Sequence, residues 1–262
     1  MFDHWCVSQA LKSVHEANLL IGGNGGIGYL TAECLVAASP KYHVIICSRN
    51  QERGEKALAE LRNGNPKGSF ALLQLDVTDQ KSITAAAKSV DKEYGGLDVL
   101  VNNAGIIGGT TPFIKELREV FETNTFGPAV VTEAFTPLLE KSKNGRLVYV
   151  TSDLGSITER SDPSMPYYKL SNVAYRMSKA ALNMLMACNH AELGPKGIKV
   201  WAFNPGYVVT NFSGTGEKGV QERIARGAGD PKESAKGIVA CIDGRRDKDI
   251  GKFVSKDGYH PW

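Results

Sequence analysis

Asn18-Leu19-Leu20-Ile21-Gly22-Gly23-Asn24-Gly25-Gly26-Ile27-Gly28 runs from an apolar stretch into a glycine cluster, and the chain continues to Ala38 with helical composition. Strand, glycine turn and helix, in that order, are what a phosphate-binding turn requires. Glycine tolerates backbone angles that a Cβ disfavours and lets a pyrophosphate approach bare N–H groups, while the helix N-terminus adds a favourable dipole. A glycine-rich run by itself also fits a flexible turn. The strand before it and the helix after it favour a dinucleotide.

Beyond this turn, short apolar runs alternate with longer segments of helical period. Strands are expected at 18–21, 43–48, 70–76, 99–102, 146–152, 199–204 and 252–254, and helices at 26–38, 51–62, 80–94, 113–140, 173–193 and 232–242. In the segment 173–193, Ala174, Met177, Ala181, Leu185 and Cys188 fall at three- and four-residue steps, and Pro195 helps to stop the helix. The expected fold is α/β: a doubly wound parallel sheet, the Rossmann fold, of about seven strands with helices on both faces. No linker, repeat or low-complexity tract divides the chain, so residues 1–262 read as one dinucleotide-binding domain with an extension at 1–16.

The totals exclude several functional classes. The chain has 262 residues, 42% hydrophobic and 23% charged, with a net charge of +3 spread among interleaved acids and bases. That is a solvated surface, and the pair Arg245-Arg246 is too short for a nucleic-acid tract. The 5 cysteines are widely spaced without a CxxC, so most are expected to be core thiols, with neither a disulfide framework nor a metal site. The start of the chain has no signal-like run, and no stretch is long and apolar enough for a membrane span. A cytoplasmic location is expected, with a small molecule as partner and neither nucleic acid nor membrane.

The second expected strand ends Ile46-Cys47-Ser48-Arg49, about where a dinucleotide fold meets the adenosine ribose. A carboxylate there would suit the free 2′-OH of NAD(H). Arg49, with its fork of donors, suits a 2′-phosphate instead and favours NADP(H), with Arg53 able to assist. Asp76 ends the third strand and can address the adenine edge, although such an Asp is also a common turn former.

These residues belong to a longer ordered set. Gly22-x-x-x-Gly26-x-Gly28 is followed by Asp76-Val77, Asn102-Asn103-Ala104-Gly105, Asn124, Ser152, Tyr175-x-x-x-Lys179 and Asn204-Pro205-Gly206-x-x-x-Thr210. In this respect the sequence resembles the short-chain dehydrogenase/reductases from about Asn18 to its C-terminus. The resemblance implies a cofactor cradle of Gly22, Asn24, Gly26, Ile27, Gly28, Ser48, Arg49, Asp76, Val77, Asn103, Ala104 and Gly105, with Pro205, Gly206, Val208 and Thr210 on the nicotinamide side. It also implies a catalytic tetrad of Asn124, Ser152, Tyr175 and Lys179, the last two also touching the cofactor, and a homodimer or homotetramer through the helices after Phe113 and Val173. The family's usual Thr before the first glycine is Ile21 here, which removes one local hydrogen bond from the turn.

Tyr175 and Lys179 stand at i and i+4 on a helix and so share a face. An ammonium about 4 Å from a phenol at an effective dielectric of about 20 is worth roughly 4 kcal/mol in favour of phenolate. That would bring a pKa of about 10 close to neutrality, where an acid/base group works best. Ser152 ends a strand at the sheet edge where open α/β folds bind ligands, and its hydroxyl can hold a substrate oxygen as charge develops. Asn124 is a mediocre helix former inside a long helix, and the resemblance implies a local break there that holds a proton-relaying water.

Hydride transfer between nicotinamide and a ketone, aldehyde or secondary alcohol follows, with Tyr175 exchanging the proton. Two other readings remain: reduction of C=N or cyclisation in natural-product biosynthesis, and NADP binding without turnover, as in a sensor. Two segments are expected beside the substrate. The stretch 153–174 reads as a loop in which Met165, Tyr167 and Tyr168 either contact substrate or pack on the protein. The glycine-rich 211–229 reads as a mobile lid.

Overall fold

The computed structural model describes residues 16–210 and 216–262. The expected extension therefore falls outside the described residues except for Glu16, which already belongs to the first strand. The strands are β1 (Glu16–Ile21), β2 (Tyr42–Ser48), β3 (Ser69–Gln74), β4 (Val99–Asn102), β5 (Arg146–Val150), β6 (Lys199–Asn204), β7 (Phe253–Ser255) and β8 (Gly258–Tyr259). They form one sheet in the order β3-β2-β1-β4-β5-β6-β7-β8. The first seven run parallel, and β8 turns back antiparallel on β7. The sheet thus has 8 strands rather than about seven, the extra one being a two-residue hairpin arm too short for any sequence periodicity.

Strand residues alternate between two cores. Leu19, Ile45, Leu100, Leu147 and Val200 lie in one, while Leu20, Ile46, Val101, Val148 and Trp201 lie in the other. A strand buried on both faces needs this continuous apolar composition, and helices cover each side. The helices are α1 (Gly26–Ala38), α2 (Gln51–Asn63), α3 (Gln80–Tyr94), α4 (Phe113–Phe121), α5 (Gly127–Leu139), α6 (Ile157–Ser161), α7 (Val173–Leu193), α8 (Gly216–Ala225) and α9 (Pro231–Ile242). Among the described residues, no helix is long and apolar enough to cross a membrane.

Three expectations change. The single helix read over 113–140 is two, α4 and α5, joined by a π-helical turn at Glu122–Phe126. The loop expected at 153–174 contains a 3₁₀ turn, Asp153–Gly155, and α6, and its last two residues begin α7. Much of the expected lid is α8, a regular helix despite Gly216 and Gly219, while residues 211–215 lie outside the described part. Of the cysteines, Cys47 and Cys241 are buried, Cys34 is half-buried and Cys188 is exposed.

Arg146 opens β5 as a buried cation. Its guanidinium donates to both carboxylate oxygens of Asp247 (2.7 and 3.1 Å) and to the Cys241 carbonyl (2.7 Å). Asp247 also takes Lys199 Nζ at 2.6 Å. The Arg146 guanidinium, followed by burial acting in the opposite sense and then the Lys199 hydrogen bond, leaves the Asp247 carboxyl below its ordinary pKa. Arg146 is 4% exposed and Asp247 36% exposed. Asp247→Asn is therefore expected to cost about 2 kcal/mol, less than a fully enclosed pair, and to lower Tm by about 4 to 8 °C. A thermal melt unchanged from that of the parent chain would contradict this role.

Candidate active site

The strand order reverses between β1 and β4, and the crevice at the carboxyl ends of these strands is where an open α/β sheet takes a nucleotide. Gly22 and Gly26 have φ of +73° and +53°, in the region that favours glycine. A Cβ on Gly28 would lie 2.5 Å from the Gly22 carbonyl oxygen and 2.6 Å from Asn103 Nδ2. That position admits only glycine. Asn103 Nδ2 donates to the carbonyls of Ile21 (3.3 Å) and Gly22 (3.2 Å), so the turn is tied down from β4. Ile21 itself is buried in the core.

Side chains cap α2, α3 and α9: Asn50, Asp79 and Asp230 accept from their first-turn N–H groups. The N-terminus of α1 has no side-chain cap, and around Gly25 a Cβ would meet nothing within 4 Å. Uncapped N–H groups and open space together fit a pyrophosphate. Asn24 and Ile27 are half-buried on this turn.

Ser48 Oγ is committed to the Asn50 carbonyl (2.7 Å). Arg49 and Arg53 are exposed, and neither guanidinium has an acceptor among the described residues. Asp76 Oδ1 accepts from Thr78 N (2.9 Å) and Thr78 Oγ1 (2.8 Å), forming a turn in which Oδ2 has no donor among the described residues. Val77 packs so closely on Gly127 that a Cβ there would be 2.8 Å from its carbonyl oxygen. Ala104 and Gly105 continue from Asn103 as half-buried chain without regular secondary structure.

The four residues expected as a tetrad converge beside this cradle. Asn124 sits in the π turn, where the extra residue aims its amide at the segment after β4. Its Oδ1 accepts from Ile106 N (2.8 Å), and its Nδ2 donates to the Ile106 carbonyl (2.8 Å) and to Ser178 Oγ (3.0 Å). Ser178 Oγ in turn donates to the Tyr175 carbonyl at 2.8 Å. Ser152 follows β5, and Gly155 lets its turn press on α7, since a Cβ would be 2.7 Å from the Lys179 carbonyl carbon. Tyr175 and Ser152 share a side-chain hydrogen bond. Lys179 Nζ lies 5.7 Å from the centre of the Tyr175 ring and donates to the Val150 carbonyl at 2.9 Å.

This electrostatic balance corrects the expected acidification of Tyr175. Burial raises the pKa of the phenol, the Ser152 hydrogen bond only partly opposes it, and the Asp153 carboxylate adds to the rise. Burial also lowers Lys179 to about 8. Both groups are enclosed by protein, so loss of water outweighs their mutual attraction across that distance.

On the far side of the crevice, Pro205 accepts from Ser234 Oγ (2.6 Å) and Gly206 N donates to Asn204 Oδ1 (3.0 Å). Val208 bridges to Gly229. The Thr210 side chain lies 3.8 Å from where a Cβ of Gly26 would stand, which closes the crevice opposite the glycine turn.

Residues 16–220 match the short chain dehydrogenase family. The chain belongs to that family. It is 40% identical over 247 residues to the short-chain dehydrogenase anuI of Penicillium roqueforti, covering 91% of this chain and 93% of that protein. It is 32% identical to the short-chain dehydrogenase/reductase tropE of Talaromyces stipitatus, covering 92% and 95%. Among solved structures, the NADPH-bound carbonyl reductase from chicken fatty liver superposes with a TM-score of 0.77 at 30% identity, covering 95% of this chain and 99% of that one. The protein is thus an oxidoreductase of a family that uses nicotinamide cofactors.

Two residues of this short-chain dehydrogenase escape sequence reading. Arg176, next to Tyr175, is buried and donates to the carbonyls of Leu154 (3.3 Å), Tyr167 (2.6 Å), Leu170 (3.1 Å) and Ser171 (3.1 Å). It binds the wall that contains Tyr167 to the turn after Ser152. Asp153 accepts from Ser152 Oγ (3.0 Å), bringing a carboxylate beside Ser152 and Tyr175. In sequence, an Arg on a helix reads as a solvated charge and an Asp after a strand as a turn former. Met165 and Tyr168 are half-buried, whereas Tyr167 is exposed.

Proposed function

We propose that this enzyme uses NADP(H) to reduce a ketone or aldehyde, or to oxidise the corresponding secondary alcohol, with Tyr175 as proton donor and acceptor. The observation that carries this reading is the hydrogen-bonded Tyr175–Ser152 pair at the carboxyl end of β5, with Lys179 one helical turn along. The Arg49 guanidinium at the ribose end, which has no acceptor among the described residues, supports a 2′-phosphate.

A bound dihydronicotinamide supplies the hydride. On substrate binding the Ser152 hydroxyl turns from Asp153 Oδ1 to donate to the substrate oxygen and holds it against Tyr175. Burial keeps the phenol protonated, so it enters the reaction as a proton donor. Lys179, charged below about pH 8, stabilises the phenolate left behind. Asn124 positions α7 through Ser178 and fixes Ile106. Exposed Phe113, Ile114 and Phe126 around α4, with Val173, Met177 and Met184 on α7, supply an apolar face suited to a homodimer or homotetramer.

Oxidation of NADPH over a carbonyl panel tests this reading, with NADH as the comparison. Because burial lowers the Lys179 pKa from 10.5 to about 8, its charge is present below that value and lost as pH rises through it. Reductive kcat/KM is expected to fall about tenfold per pH unit on the alkaline side. A profile flat from about pH 7 to 10 would exclude Lys179 as the charged partner.

A further inference from the structure

Asp153 opens the turn that follows Ser152, and its two carboxylate oxygens differ. Oδ1 accepts from Ser152 Oγ (3.0 Å) and from Leu154 N (2.8 Å). Oδ2 has no donor among the described residues, although the residue is half-buried. Its charge is felt by Tyr175 and Tyr167 and by the Arg176 guanidinium. Arg176 forms no ion pair with it, because that guanidinium is engaged with the carbonyls of Leu154, Tyr167, Leu170 and Ser171. The neighbouring cation therefore holds the wall, and although the two charges act on one another no hydrogen bond joins them.

Tyr167 and Tyr207 are 37% and 39% exposed, and both the Asp153 charge and Tyr207 act electrostatically on the Tyr167 phenol. A carboxylate oxygen that lacks a protein donor near the Tyr175 phenol can accept a charge-assisted hydrogen bond from a ligand, and tyrosine rings on the same side favour a donor that is cationic or attached to an apolar frame. We propose that Asp153 determines specificity: its Oδ2 accepts a hydrogen bond from a hydroxyl or ammonium group carried by the carbonyl substrate near the reacting carbon. This rests on the carbonyl-reductase reading given above.

The test uses three matched aromatic ketones, identical except for a hydroxyl, an ammonium or a methyl group at one position. NADPH oxidation is followed with the parent enzyme and with Asp153→Asn, which keeps an oxygen for the turn, and the ratio of kcat/KM between substrates is read. The parent is expected to favour a donor-bearing ketone by about 10- to 100-fold, the ordinary range for a charge-assisted hydrogen bond. Asp153→Asn is expected to reduce the ammonium ratio by about tenfold or more and the hydroxyl ratio less, since an amide oxygen still accepts. A hydroxyl preference alone assigns the donor as hydroxyl, and an ammonium preference alone assigns it as cationic. Asp153→Ser, which also retains a turn oxygen, serves if the amide variant does not fold. Ratios equal in parent and variant would overturn the proposal while the methyl ketone still reports reduction. Absence of NADPH oxidation by the parent enzyme with any of the three ketones would instead overturn the reductase reading.

Discussion

Tyr175→Phe is expected to lower kcat for carbonyl reduction by about 10²- to 10⁴-fold, the range for removing a positioned acid. The affinity for NADPH should change little, because the cradle at Gly22, Gly26 and Gly28 is built on β1, α1 and Asn103. The ring of Tyr175 is buried, and phenylalanine fills the same volume. What disappears is the hydroxyl, the proton it donates and its bond with Ser152. Single-turnover rates with a verified carbonyl, set beside a fluorescence titration of NADPH, separate the two effects. Turnover within about threefold of the parent would remove Tyr175 as the acid.

The second large effect concerns the other end of the crevice. Arg49→Ala is expected to lower kcat/KM for NADPH by about 10- to 100-fold, the cost of losing hydrogen bonds to a charged phosphate. The value for NADH should stay near that of the parent. The guanidinium is exposed and makes no bond among the described residues, so its removal leaves none of their groups unsatisfied. Only a ligand bearing a 2′-phosphate loses a partner. Equal losses for both cofactors would show that Arg49 supports the turn rather than reading the phosphate. Arg53, exposed on the first turn of α2, can moderate the loss.

Much of this fold is legible in the sequence because a sheet buried on both sides leaves little freedom in its strands. Leu19 and Leu20 face opposite cores, so neither position tolerates polarity, and the apolar run marks β1 directly. The glycine turn is legible for a similar reason: at Gly28 the neighbouring carbonyl leaves no room for a Cβ. Features that depend on partners distant in sequence are harder to see. The π turn at Glu122–Phe126 keeps helical composition and differs by a single residue of hydrogen-bond spacing, which no apolar period records. Gly258–Tyr259 becomes a strand only because β7 lies beside it.

The candidate site divides in the same way. Spacing places Tyr175 and Lys179 on one helical face, and in the structure Tyr175 meets Ser152, Lys179 reaches the Val150 carbonyl, and Asn124 is tied to the same helix through Ser178. Their electrostatics were not legible, because a dielectric chosen for a half-solvated pair underestimates the burial of both groups. The position of Arg176 depends on four carbonyls in a loop without regular period, and the contact of Asp153 depends on the direction of a turn.

The most direct test follows the hydride itself. With NADPH deuterated at the reactive C4 position and a carbonyl substrate found in the panel, mass spectrometry of the product should show one deuterium on the former carbonyl carbon for each NADPH consumed. Cofactor bound in a defined stoichiometry, with no label transferred and no NADPH consumed by any carbonyl, would contradict the reductase assignment and leave a nucleotide-binding protein without turnover.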